Sequence, residues 1–448
     1  MMSFALNAQF NAIDSVLTVN EFIHWVDQNN PLLKVIGNKL PLAKAELRRA
    51  KGAFDPYLNG TLVSKEFNGE NYYRQPGVQL KTATNSPVQF QMDWNNISGI
   101  YTNPQDKMPQ EGLFAVGGMI NFGNGLLTDS RRTDLALAKA GIELTSAQAE
   151  LYRNELLTKA VKDYWKWYEA DAKVRAYELA LTAAAEVYEF TLNSFEAGDA
   201  SAIDTLDALA LVTTWKTDYY SAQSNAIKAM FDLCNWLWTA EELPVVLQPF
   251  IRPSEELPHH SVHVSLGNLH PLWSYNDQKE EQLRLKRQLA REYLKPTIAI
   301  GGAYLLPGNF DQPPTQSDFD AKNRLFKAKL GMPLFLREGR GYTQSQSLQL
   351  ENFQWERSTI ENQWSNALNS TAAQLIELEA AVKASLENQE SLYKLLQSEK
   401  MKLTLGDSEL IKVNLRTSYF AKAQVQRAKL QAELGQTWAY WMQLSASY

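Results

Sequence analysis

Side chains able to do acid-base, metal or nucleophilic chemistry are scattered in this chain, and where they cluster they do so at turns. Asp199, Ser201, Asp204 and Asp207 follow Ser194-Phe195-Glu196-Ala197-Gly198; Asp407, Ser408 and Glu409 follow Leu403-Thr404-Leu405-Gly406. Carboxylates and hydroxyls just after a glycine can accept hydrogen bonds from the first free amides of a helix, and either Asp199 or Ser201 suits that role. The histidine cluster His259-His260-Ser261-Val262-His263 stands in a stretch broken by Pro249, Pro253 and Pro258. With no further ligand set to converge on it, a solvated linker is expected rather than a metal site. Cys234, the one cysteine, sits among Leu233, Trp236 and Leu237 in a helical pattern and reads as a buried apolar thiol. No Gly-rich phosphate loop or nucleophile motif occurs, so neither enzymatic activity nor a cofactor is expected.

The elements that position the two glycine turns are long. From 129 to 196 there is no proline and only Gly141, which predicts one helix about 100 Å long. A second follows over 201–240, with Val212, Trp215, Tyr219 and Ala222 at the three-four spacing of a coiled-coil seam. The later turn lies between an uninterrupted helix over 342–405 and another over 407–444, whose seam is mostly small residues. Ahead of the first long helix, a helix from Val19 to Ala53 meets Asn29-Asn30-Pro31 and is expected to kink or break at Gly37 and Pro41. Strands are expected at 57–67 and 112–122, separated by a long, partly ordered loop over 68–110 with short possible strands such as 88–92. After a connector at 241–267, a helix over 272–294 and strands at 297–305 and 325–336 complete the pattern.

That order is a duplication. Pro31 and Pro56 stand as far apart as Pro271 and Pro296, so a first repeat over 19–240 is matched by a second over 268–446. Two shorter helices stacked end to end would match the long helix beside them, which suggests a cylinder of helices. Four strands cannot close into a barrel alone, and their open edges imply oligomerisation.

The totals narrow the partners. The net charge of −6 and 21% charged residues give no basic footprint, so no nucleic-acid partner is expected. No run of 18 apolar residues occurs, so a membrane could be crossed only by strands, and strands of about ten residues have the required length. Phe54, Tyr57, Phe122, Tyr304, Phe326 and Phe335 would suit an interfacial girdle, or equally a sheet core. Residues 1–18 form an N-terminal segment in which Leu6-Asn7-Ala8 resembles the small-residue end of a secretory signal, the alternative being an ordinary N-terminus.

The duplicated order Asn/His-Pro, Gly-Ala-Phe-Asp-Pro, strand pair, long helix, Phe-Glu-Ala-Gly-Asp, long helix resembles the TolC-like outer-membrane efflux protein family, from about Val19 to Leu444. The resemblance implies a mainly α fold with a small β part. Long antiparallel helical hairpins form a helical barrel, and four strands per chain join a trimeric 12-stranded transmembrane β-barrel. It also implies an outer-membrane exit duct with a periplasmic extension. Such a duct passively exports what an inner-membrane transporter delivers through a periplasmic adaptor, and its homotrimer is surrounded by outer-membrane lipid. Gly198 and Gly406 match the family's tip glycines, which makes Gly198, Asp199, Ser201, Gly406, Asp407 and Ser408 the expected adaptor-docking turns. In a trimer Asp204, Asp207, Asp407 and Glu409 would each become a ring favouring cations, and Asp199 adds to the same charge. Helix capping is the rival role for Asp199 and Asp407. Lys402 and Lys412 depart from the family pattern at the second tip. A soluble coiled-coil scaffold that binds partner proteins is the alternative function.

Overall fold

A computed structural model describes residues 16–103, 107–257, 270–308, 319–320, 322–405 and 407–446. The histidine cluster, Gly406 and most of the 1–18 segment lie outside the described residues. Two compact units form, each drawing on both halves of the sequence. One takes residues up to 38, 149–271 and from 360 onward; the other takes 39–148 and 272–359. The repeat and the compact unit are therefore different divisions of the chain.

The second unit is built on a six-stranded antiparallel sheet. Its strands are β2 (Tyr57–Phe67), β3 (Glu70–Ala83), β4 (Val88–Asn95), β5 (Leu113–Gly123), β7 (Thr297–Pro307) and β8 (Arg324–Gly331), paired in that order. The loop expected over 68–110 is thus corrected: it contains a hairpin, β3 and β4, inserted between the strands on either side. Asn68 and Gly69 turn the chain with φ of 52° and 78°, the left-handed pair that a two-residue hairpin needs. At the other end Thr84 Oγ1 donates to Val88 O at 2.8 Å and Ser86 Oγ accepts from Val88 N–H at 3.2 Å. Pro76 and Gly77 sit inside β3, where proline is unusual. The carbonyl of Pro76 accepts from Asn96, just past the end of β4, so its missing donor faces the place where the ladder runs out. Against the expected 325–336, β8 ends at Gly331 and is followed by Met332-Pro333.

Side chains cap the starts of several helices. Asn30 interrupts the first helical stretch between α1 (Val19–Asn29) and α2 (Pro31–Lys51), its side-chain oxygen accepting from Leu32 N–H at 3.0 Å. Gly37 and Pro41 do not break α2, which continues to Lys51 with Pro41 inside it. Asp129 caps the start of α3 (Ser130–Ala197) by accepting from Arg132 N–H at 3.0 Å. α5 (Pro271–Glu292) leads into β7, and α6 (Arg337–Thr404) leaves β8. At 68 residues each, α3 and α6 are roughly 100 Å long. α6 starts ahead of the expected 342, carrying Gly339 and Gly341 in its first turns.

The first unit holds the main apolar core. Phe22 and Val26 of α1, Tyr164 and Trp165 of α3, and Trp438 and Met442 of α7 (Leu410–Ser445) are buried together there. Phe22 and Trp165 are both fully buried. α4 (Ala202–Cys234) ends six residues short of the expected 240, because Leu237 is drawn into this core and Trp236 Nε1 donates to Asp163 Oδ2 at 2.9 Å. The segment expected as a connector is also structural: Val245, Leu247 and Ile251 are buried in it, and β6 (Arg252–Pro253) pairs in parallel with β1 (Val16–Leu17). The Tyr164 hydroxyl donates to Leu17 O at 2.7 Å and accepts from Ser254 N–H at 2.9 Å, fastening both of those strands to α3. Cys234 is buried, as its neighbours suggest, and accepts from Leu247 N–H.

Close approach of α3 and α7 rests on Gly435. A Cβ there would lie 2.1 Å from the Trp165 indole. Gly435→Val should therefore destabilise the protein by roughly 1–3 kcal/mol and lower its thermal midpoint. Gly141→Ala should hold or raise it, since a Cβ there meets only Gln282 at 3.7 Å. An unchanged midpoint for Gly435→Val would overturn the close-packing account.

Candidate functional site

The first turn is built from backbone outward. Gly198 takes φ +85°, and Asp199 and Ala200 N–H donate back to Ser194 O at 2.8 and 3.2 Å, closing α3. Ser201, not Asp199, then caps α4. Its hydroxyl accepts from Asp204 N–H at 3.3 Å, and the Asp204 carboxylate returns to Ser201 N–H at 2.9 Å and to its hydroxyl at 2.8 Å. Those bonds, the Ser201 amide first and its hydroxyl second, hold the Asp204 carboxyl below the usual carboxylate range. Asp204 is thus committed to the turn, while Asp207 projects from the next helical turn and is exposed.

The second turn carries less free negative charge than its sequence suggests. Asp407 N–H donates to Lys402 O at 2.9 Å, and its carboxylate caps no helix; α7 begins after Glu409, which makes no side-chain capping bond. Lys412 stands 3.7 Å from Glu409. Ser408 donates its hydroxyl to Glu399, and Arg416 lies 3.8 Å from the same carboxylate. That hydroxyl first, then Lys402, Arg416 and Lys412, keep the Glu399 carboxyl below its ordinary value. Glu399 is the residue that sequence reasoning missed. It lies near the C-terminal end of α6, eight residues before Asp407, and no sequence signal marks it because Ser408 and Arg416 reach it from beyond the turn.

Both turns meet in one cleft of ≈ 750 Å3. Asp199, Asp204, Asp207, Ser408 and Glu409 line it, together with Asn414, whose buried side-chain oxygen has no hydrogen-bond partner among the described residues. Of the sequence-derived residues, Gly198, Ser201 and Asp407 lie beside the cleft rather than on its wall. Ile411 on its wall, and Ile203, Leu206, Met401 and Leu405 near the same turns in sequence, are each more than 60% exposed, so the turns also present apolar surface. Among the described residues no group of His, Cys, Asp or Glu is arranged to hold a metal ion.

The two faces of the sheet differ in chemistry: one is apolar across the strands, and the other is largely polar on β3, β4 and β8 but carries Ala115, Met119, Ala303 and Leu305 on β5 and β7. Alternation puts Leu58 and Leu62, Val78 and Leu80 on the apolar face, and the register continues that face through Phe90 and Met92, Val116 and Ile120, Ile300 and Tyr304, and Phe326 and Leu330. Many of these side chains are open: Phe326 is 70% exposed, Leu58 67% and Phe90 54%. The other face carries Asn59, Gln79, Lys81, Gln91, Asp93 and Lys327, and Gln79 Nε2 donates to Asp93 Oδ1 at 2.7 Å across the strands. Of the expected girdle aromatics, Phe122, Tyr304 and Phe326 lie on the apolar face, Tyr57 on the polar one, and Phe54 and Phe335 outside the sheet. Among the described residues no helix is long and apolar enough to cross a membrane.

No protein-family model and no curated protein sequence matches the chain. Solved structures do. The CmeC outer membrane channel of Campylobacter jejuni aligns with a TM-score of 0.67 at 14% identity, over 96% of this chain and 85% of that one. The outer membrane protein VceC of Vibrio cholerae gives 0.67 at 13%, over 96% of each chain. The open state of the MtrE outer membrane channel of Neisseria gonorrhoeae gives 0.63 at 13%, over 96% and 88%. At these identities the likeness establishes the fold, and it is the fold of TolC-like channels that the duplicated motifs imply.

The Ser201 cap generates a local test. Ser201→Ala should weaken the first turn of α4 by about 1 kcal/mol, seen at pH 7 as several-fold faster hydrogen exchange at amides 203–205 without a shift in the global thermal midpoint. Because the Asp204 pKa is depressed on folding, the box is intact at neutral pH and is lost only as pH falls below the ordinary carboxylate range. Exchange unaffected by the substitution would remove Ser201 from the capping role.

Proposed function

We propose that this chain is the outer-membrane exit duct of a tripartite efflux or type I secretion system. In this reading it works as a homotrimer with a periplasmic extension, and it passively conducts what an inner-membrane transporter delivers through a periplasmic adaptor. The observation that carries the proposal is the two-faced sheet. An apolar, solvent-open face opposed by Gln, Asn, Asp and Lys is what a wall between hydrocarbon and water requires, and a soluble scaffold has no use for it. The fold shared with outer membrane channels supports the same reading.

The acidic cleft is the proposed working end. Gly198, Asp199, Ser201, Gly406, Asp407 and Ser408 are the residues offered to the adaptor, and the exposed apolar side chains near them supply area for docking. Asp207, Asp407 and Glu409 are the ring-forming charges, because Asp204 is spent on its cap. Glu409 is the weakest of the three, with Lys412 beside it. No step of this function makes or breaks a bond.

Purified protein placed in a planar bilayer under a salt gradient tests the reading. Wild type should give small cation-selective conductance, and Asp207→Asn with Glu409→Gln should move the reversal potential toward zero. Selectivity untouched by the double substitution would place the charge filter elsewhere in the duct. Recovery of the protein only as a soluble monomer, with no conductance, would reject the duct in favour of the scaffold.

A further inference from the structure

We infer that the hairpin β3–β4 is part of the membrane-spanning wall, with its apolar face against lipid hydrocarbon, so that each copy contributes six strands rather than four; this rests on the channel reading above. Strand order is the first argument. β3 pairs with β2 and β4 pairs with β5, so the hairpin is interior to the sheet and β2 reaches the other strands only through it. A flap or cap folded over the mouth would leave β2 beside β5.

Face chemistry is the second argument. β4 alternates without exception over its eight residues, Val88, Phe90, Met92 and Trp94 on the apolar face and Gln89, Gln91, Asp93 and Asn95 on the polar one. β3 does the same from Val78 to Lys81, with Val78 and Leu80 against Gln79 and Lys81, and departs from it only at its end, where Thr82 faces Phe90 and Ala83 faces Gln89. These faces coincide with those of the neighbouring strands rather than being inverted by a register slip.

Depth is the third. Trp94 lies directly opposite Phe114, and Phe114 opposite Leu306, so one bulky row crosses β4, β5 and β7 at the end where the chain turns into the β7–β8 loop. Trp94 Nε1 also donates to Gly308 O at 3.3 Å, tying the hairpin to that loop. Nearer the helices Leu80 faces Met92, which faces Val116. The hairpin therefore occupies the same apolar band as strands from both halves of the chain, and lipid is the one occupant that fits a face continuous across all of them.

Inserting two strands keeps every neighbour antiparallel, so the exposed edges β2 and β8 still run in opposite directions and β8 of one copy can pair with β2 of the next. Six strands from each of three copies make eighteen. Because barrel diameter grows roughly linearly with strand number, the bore would be about half again as wide as with twelve. The added wall places Lys81 and Asp93 on its water-facing side.

Single cysteines in a Cys234→Ala background test the assignment in trimers reconstituted into lipid vesicles. The positions are Gln89, Phe90, Gln91 and Met92 on β4, Val78 and Gln79 on β3, and Ala115 and Val116 on β5 as reference. Each is read with a small hydrophilic maleimide and, after bimane labelling, by quenching from nitroxide-bearing lipid. Cysteines at 79, 89 and 91 should react with the maleimide at least on the order of tenfold faster than those at 78, 90 and 92, and the quenching order should be reversed. Uniform aqueous reactivity along β3 and β4, with alternation kept at 115 and 116, overturns the inference and leaves the channel standing. Loss of alternation at 115 and 116 as well overturns the channel reading itself. The β3 pair decides independently if a β4 variant fails to assemble.

Discussion

Eleven consecutive residue pairs join β5 to β7, and through them the two halves of the chain become one sheet. The contact is unusually close. A Cβ on Gly117 would fall 2.0 Å from the carbonyl oxygen of Gly302, so only glycine allows the two backbones to lie as they do. This ladder fixes much else. α3 leaves the sheet a few residues after β5 and α5 enters it just before β7, so the pairing sets the starting points of elements from both repeats. It also sets which side chains share a face, because a slip of one residue between β5 and β7 would turn Ile300 and Tyr304 to the polar side.

The helical unit answers a different constraint. Helices of this length are not held by propensity alone, and what fixes them is a buried aromatic group in which the Tyr164 hydroxyl is hydrogen-bonded on both sides. Tyr164 is the centre of that group. Burial pushes its ionisation far above the ordinary phenol range, so it stays a neutral donor to Leu17 O and an acceptor from Ser254 N–H. Trp25 Nε1 donates to Trp238 O at 2.7 Å and Asn30 Nδ2 to Trp236 O at 3.1 Å, which pins the segment after α4 against α1. Asp171, almost fully buried, meets Arg252 and Arg175 and so anchors the start of β6. The supposed connector is thereby a structural brace.

Much of this was legible in the residues, and the failures have physical causes. Long runs without glycine or proline marked α3 and α6 to within a few residues, because nothing in them competes with the helix. Of the hairpin β3–β4 only 88–92 reads as a possible strand, because Asn, Gly, Pro and Tyr suggest a loop around it and Pro76-Gly77 argues against a strand interior. Its signal was nonetheless present in Asn68-Gly69, the strongest short-range hairpin dipeptide, and in the strict alternation from Val88 to Asn95. At the turns, residue type alone could not choose between Asp199 and Ser201 as cap. The choice depends on the three-residue spacing from Ser201 to Asp204 and on Gly198 having already closed α3. The pairing of Glu399 was invisible for another reason: its partners Ser408 and Arg416 come from beyond the turn.

The core of the helical unit draws on residues from Leu17 to Leu444. Val16 and Leu17 find their strand partners only at Arg252 and Pro253, and Gly435 must arrive before Trp165 is enclosed. A chain that emerges from its amino end therefore carries Phe22, Tyr164, Trp165 and Trp167 uncovered until nearly the last helix has been delivered. Such a molecule cannot assemble its interior piecemeal as it is made. It needs either protection from self-association throughout that interval or a final step fast enough to outrun it, and any shortening beyond Trp438 removes the closing piece.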